Sequence, residues 1–94
     1  MNMVIDQFHI PDEMRRRYVD RRFKDIQDCH NKLVNLDWIF FERLGHQLKG
    51  NALSYGYEDL SEIAFDLEAA ALEKDLIKLE TCVNAFRQWH QLHQ

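Results

Sequence analysis

In the stretch His46-Gln47-Leu48-Lys49-Gly50, three residue types stand at spacings that suit phosphoryl chemistry. A free imidazole titrates at about 6.5, so one facing solvent is substantially neutral at physiological pH and can act as a nucleophile. On a helix, a lysine three residues later lies on the same face and brings three donors and a positive charge beside the ring. A glycine four residues later removes the side chain that would stand next to the ring on the adjacent turn. A bulky anion or another protein's backbone can then come close. That glycine is not free, because inside a well-formed helix it is about 1 kcal/mol worse than alanine.

The helix that must present these residues is visible in the apolar positions around them. With Leu48 at the centre of the buried face and about 100° per residue, Phe41, Leu44, Ala52 and Tyr55 fall within about 40° of it. His46 falls about 160° away and points to solvent, among Glu42, Arg43, Lys49, Gly50 and Leu53, with Ile39 two turns earlier. Ile39 and Leu53 are aliphatics on a face that should be polar, and they read as an apolar rim for a docked partner. Gly45 lies nearer the core stripe and reads as a point of close helix packing. Trp38, Phe40, Phe41 and Tyr55 read as core or boundary aromatics.

The rest of the chain is consistent with helices only. Three Gly and one Pro in 94 residues leave too few turn signals for a sandwich, a barrel or a doubly wound sheet. At 46% hydrophobic and 30% charged, the composition is that of a folded chain. A first helix opens at Ile10-Pro11-Asp12-Glu13 and covers about 11–34, with Val19, Phe23, Ile26, Cys29/His30 and Leu33 on its apolar stripe. Asn35-Leu36-Asp37 is a tight turn with Asp37 as N-cap, and the second helix covers 37–55, ending at Gly56. The third, 58–73, buries Leu60, Ile63, Ala64, Leu67 and Ala70/Ala71. Glu73-Lys74-Asp75 is a charged corner without Gly or Pro. Asp75 as a cap and the restart at Leu76, Leu79, Val83 and Phe86 place a fourth helix over 75–92, in competition with one continuous helix over 58–93. Short connections predict a single domain over 1–94: an antiparallel up-down-up-down four-helix bundle with a short N-terminal extension.

Charge and composition narrow the partners. A net charge of -4 and a pI near 5.7 argue against nucleic acid, and no apolar run is long enough to span a membrane. The opening MNMVIDQFHI has no positive segment and is interrupted by Asp6, so a cytoplasmic chain with reduced, buried Cys29 and Cys82 is expected. Residues 11–34 carry a net +2 and residues 57–80 a net -6. These read as solvated faces of mixed sign, or as a partner surface built partly from Arg15, Arg16, Arg17, Arg21 and Arg22. His90 and His93, with His30 as a third, lack a carboxylate or cysteine at ligand spacing. They read as a solvated helix end, and no metal site is expected.

The stretch His46-Gln47-Leu48-Lys49-Gly50-Asn51-Ala52 resembles the H-x-L-K-G-[SN]-[AS] signature of histidine-containing phosphotransfer (HPt) domains. Ser54-Tyr55-Gly56 is similar to the family's helix-ending S-[FY]-G. Leu60-Ser61-Glu62 with Leu67-Glu68-Ala69-Ala70 resembles its next helix, and Ile10 to Arg22 its first. The resemblance covers most of residues 10–90 and implies a phosphorelay intermediate. In that reading His46 accepts the phosphoryl group, by family habit through Nε2, from a receiver domain's aspartyl phosphate or a hybrid sensor histidine kinase. It then passes the group to another response regulator. Lys49 would stabilise the phosphoryl charge and Gly50 give steric access. Gln47, at the family's variable position, would touch the partner or the phosphate, and Arg43, Ile39 and Leu53 would form the docking face. The resemblance also implies a monomer with no cofactor of its own, Mg²⁺ being held by the receiver. The chain lacks the H-E-[LF]-[RK]-x-P pattern of kinase dimerisation domains and room for an ATP-binding domain, so no kinase activity is expected. Asn51 stands where Ser is commoner, and Leu53 where a small residue often sits. The competing reading is a non-catalytic adaptor that docks receivers without taking phosphate.

Overall fold

Four helices account for nearly all of residues 10–94, which are the residues described by the computed structural model. They are α1 (Asp12–Val34), α2 (Trp38–Ser54), α3 (Glu58–Glu73) and α4 (Leu76–His93), with no strand among the described residues. The expected N-terminal extension lies outside the described residues, apart from Ile10. None of the four helices is long and apolar enough to cross a membrane.

One turn geometry, used three times, folds the chain back on itself. At the end of α2, Gly56 takes a left-handed φ of 85°. The Tyr57 N–H then donates to the Ala52 carbonyl at 2.9 Å, and the Gly56 N–H to the Leu53 carbonyl at 3.0 Å. After α1 the left-handed residue is Leu36 (φ 35°), with Asp37 N–H donating to Lys32 O at 3.0 Å. After α3 it is Lys74 (φ 53°), with Asp75 N–H donating to Ala70 O at 3.0 Å. The corner at Glu73-Lys74-Asp75 is therefore a true break, and the continuous helix over 58–93 does not form. The Asp37 and Asp75 side chains cap the helices that follow, accepting from Phe40 N at 3.0 Å and Lys78 N at 3.1 Å.

Contacts between helices run in opposite directions at each seam. Gly45 of α2 meets Ala64 and Glu68 of α3, whereas Lys49, further along α2, accepts at its carbonyl from Ser61 Oγ, earlier on α3. Asp59 near the start of α3 accepts from Trp89 Nε1 near the end of α4 at 3.1 Å. Tyr18 of α1 stacks on Tyr55 at the end of α2 and donates its hydroxyl to Asn51, while Lys32 at the other end of α1 pairs with Asp37. The Tyr18–Asn51 bond also accounts for asparagine within the motif: its side chain reaches across the seam to α1. Phe41, Leu48, Leu60, Leu67, Leu79, Phe86 and Cys29 fill the centre, fully buried. Both cysteines are free and buried, and burial pushes the Cys29 thiol up to about 12.

Several sequence expectations need correction. Phe23 and His30, placed on the α1 stripe, are exposed, Phe23 by 52%. Val19, Ile26 and Cys29 are buried as expected, and Tyr18 joins them, so the inward face of α1 is rotated towards the seams with α2 and α4. Leu76 is also exposed, because it is the first residue after the α3–α4 turn and the packed stripe begins only at Leu79. The C-terminal histidines are not at a solvated end. His90 is 5% exposed and lies against Phe23, while His93 stacks on Trp89 at 4.4 Å and donates from Nδ1 to the Trp89 carbonyl at 2.7 Å.

Candidate functional site

The close contact between α2 and α3 begins at Gly45, where the α3 main chain lies directly against the helix. With α3 seated there, Glu68 reaches across to the outer face of α2 and meets two residues of the motif at once. Its Oε2 lies 3.2 Å from His46 Nδ1, and its Oε1 accepts from Lys49 Nζ at 2.9 Å. The hydrogen bond from Lys49, above all, holds the Glu68 carboxyl below the usual carboxylate range, with the Lys49 charge and His46 adding to it against partial burial.

An ionised carboxylate can only accept hydrogen bonds, so the ring nitrogen facing it carries the hydrogen. In the neutral ring the lone pair is then on Nε2, on the side away from Glu68. The His46 side chain is 71% exposed, as the helical placement predicts. Lys49 is half-buried, its Nζ 5.5 Å from the centre of the Phe65 ring, so its charge is held between that ring and the Glu68 carboxylate that also meets His46. A Cβ on Gly50 would meet nothing within 4 Å, so no packing need explains a glycine there.

Glu42, Arg43, His46, Gln47 and Glu68 line a shallow depression of about 300 Å³ at one side of the imidazole. Ile39 and Leu53 are exposed, 60% and 58%, and seven residues of helix place each about 10 Å along the axis from His46. Every site residue expected from the sequence therefore lies on one face of α2. Two others, Glu68 and Phe65, come from α3. Neither was assigned a role from the sequence, where Glu68 is one of eight acids in residues 57–80 and nothing local marks the one that faces Lys49.

Of the arginine surface considered for α1, Arg15 and Arg22 are engaged within the fold, and Arg17 makes only an exposed pair on its own helix. Arg22 lies over the Tyr18 ring at 4.2 Å and pairs with Asp25, Arg15 lies over Tyr57, and Arg17 pairs with Glu13. Only Arg16 and Arg21 of the five have no such contact among the described residues, and both are exposed. No group of three or more His, Cys, Asp or Glu that could hold a metal ion occurs among the described residues.

Residues 13–94 match the family model described as Hpt domain. The comparisons with curated proteins and with solved structures return no match. Hpt domains are four-helix bundles that carry out histidine phosphotransfer in two-component phosphorelays, interact with receiver domains and have no kinase activity of their own. The family match spans all four helices and includes the stretch that presents His46, and this chain belongs to the Hpt domain family.

Proposed function

We propose that this chain relays phosphoryl groups through His46, taking them from the aspartyl phosphate of a receiver domain or hybrid sensor kinase and passing them to another response regulator. The observation that carries the reading is the clamp on the ring: Glu68 holds Nδ1 while the His46 side chain stays 71% exposed, and Gly50, one turn on, leaves open space. In the transfer, the Nε2 lone pair forms the N–P bond as the acyl-phosphate O–P bond breaks, and that bond's electron pair stays with the donor's aspartate. Nδ1 keeps its hydrogen throughout. The ring becomes an imidazolium whose charge lies against the Glu68 carboxylate, so no proton has to leave. On donation, a carboxylate oxygen of the next receiver attacks phosphorus and the N–P electron pair returns to Nε2.

Such a transfer depends on positioning and charge neutralisation rather than on further covalent groups. Lys49 supplies the neutralising charge on this side. The Mg²⁺ and the acids that bind it belong to the receiver. Ile39 and Leu53, with Phe65 added from α3, offer apolar contact around the imidazole, and Arg43 and Gln47 offer polar contact. An adaptor that only docked receivers would have no use for a histidine clamped in one tautomer.

The test is direct. The chain is mixed with a receiver loaded from a small-molecule phosphodonor and Mg²⁺, and intact mass is followed for one added phosphate. An acid-labile adduct on the wild type and none on His46→Gln is the expected result. No adduct from any of a panel of receivers shown to be loaded would favour the adaptor.

A further inference from the structure

Gly45, one residue before His46, is as tightly enclosed as Gly50 is open. A Cβ there would lie 2.7 Å from the Glu68 backbone nitrogen, 2.8 Å from the Ala64 carbonyl oxygen and 2.9 Å from the Glu68 Cα. All three are main-chain atoms, which no change of rotamer can move aside. Two of the three belong to the residue that holds His46 and Lys49. We propose, building on the phosphotransfer reading above, that Gly45 is a positioning residue: its missing side chain seats the α3 backbone on α2 at Glu68, and that contact sets the carboxylate to hold Nδ1 of His46 and Nζ of Lys49 together.

The geometry leaves little tolerance. Ordinary contact begins at 3.4 Å, so a methyl group at position 45 would displace the α3 backbone by about 0.7 Å from its present 2.7 Å. Carried through to the carboxylate, that shift takes contacts of 3.2 and 2.9 Å out to about 3.6 Å or beyond, where a hydrogen bond no longer holds. Lys49 can follow the carboxylate on its flexible stem, whereas the shorter His46 side chain has less reach, so the Nδ1 contact is the one the shift breaks first. The two glycines of α2 thus act in opposite directions. Gly50 clears the outer approach to the ring, and Gly45 brings in the group that orients it.

The experiment reads the ring itself. Long-range ¹H–¹⁵N correlations of the His46 imidazole report the Nδ1–H and Nε2–H tautomers in wild type, Gly45→Ala, Glu68→Ala and the double variant. Transfer rates from a loaded receiver and thermal melts are measured beside them. The wild-type ring should be mainly Nδ1–H. Gly45→Ala should move it towards the mixture seen in Glu68→Ala and slow transfer roughly tenfold or more, as sub-ångström to ångström misplacements do. The double variant should be no slower than Glu68→Ala. A wild-type ring and rate in Gly45→Ala, or effects that multiply in the double variant, would overturn the proposal. Should Gly45→Ala not fold, Glu68→Asp withdraws the carboxylate by one methylene with the glycine contact intact. A tautomer mixture and slowed transfer are expected there, and an unchanged ring and rate would equally overturn it. The ring is read on unphosphorylated chain, so a wild type that takes no phosphate ends the phosphotransfer reading while the spectra still decide the role of Gly45.

Discussion

Replacing Gly50 with leucine should make the protein more stable and less active. The position is inside α2, four residues before its last helical residue, and a Cβ there meets no atom within 4 Å. Nothing in the fold therefore opposes the gain in helix propensity, which is about 0.8–1 kcal/mol from glycine to alanine and slightly less to leucine. For a chain of this size, about 1 kcal/mol corresponds to a rise of roughly 4–8 °C in Tm. The same side chain would stand one turn from His46 on the exposed face, in the path of an incoming receiver. Circular dichroism melts give the first quantity, and intact-mass timing of phosphate uptake from a loaded receiver gives the second. A higher Tm with transfer lost or slowed at least a hundredfold is expected. Transfer at the wild-type rate would refute the steric argument, and a lower Tm would refute the placement of Gly50 in open space.

His46→Gln should abolish phosphate uptake while changing stability by no more than about 0.5 kcal/mol, because the side chain is mostly exposed; melts and intact mass check both. Glu68→Gln tests the carboxylate through pH. The folded state holds Glu68 below its ordinary value of 4.5, so its ionic contribution is fully present above that value and is lost as pH falls through the lowered one. The stability gap between wild type and variant, followed by denaturant titration, should narrow below pH 4.5; a gap that stays constant in acid would refute the ionic role. Lys74→Gly removes a Cβ from a left-handed residue and should raise stability by about 0.5–1 kcal/mol, as read by chemical denaturation. Unchanged or reduced stability there would mean that the left-handed turn carries no strain.

The helices, their approximate limits and the outward face of α2 are all legible in the linear chain, because each depends on relations among residues within a few positions of one another. Apolar spacing around Leu48 is enough to place His46 in solvent, and Asp37, Gly56 and Asp75 announce their caps and stops for the same local reason. The turns at Leu36 and Lys74 are less visible. Their left-handed conformations are imposed by the need to close two carbonyl bonds and reverse the chain, and neither residue type favours that conformation. The rotation of α1 that leaves Phe23 outside and buries Tyr18 depends on where the seams with α2 and α4 fall, as does the burial of His90 against Phe23. The clamp on the imidazole is the furthest from local reading. Glu68 is 22 residues from His46, and only the register of α3 on α2 selects it from the acids around it. That register is set where Gly45 lets two backbones touch, a contact between main-chain atoms that leaves no mark on the periodicity of either helix.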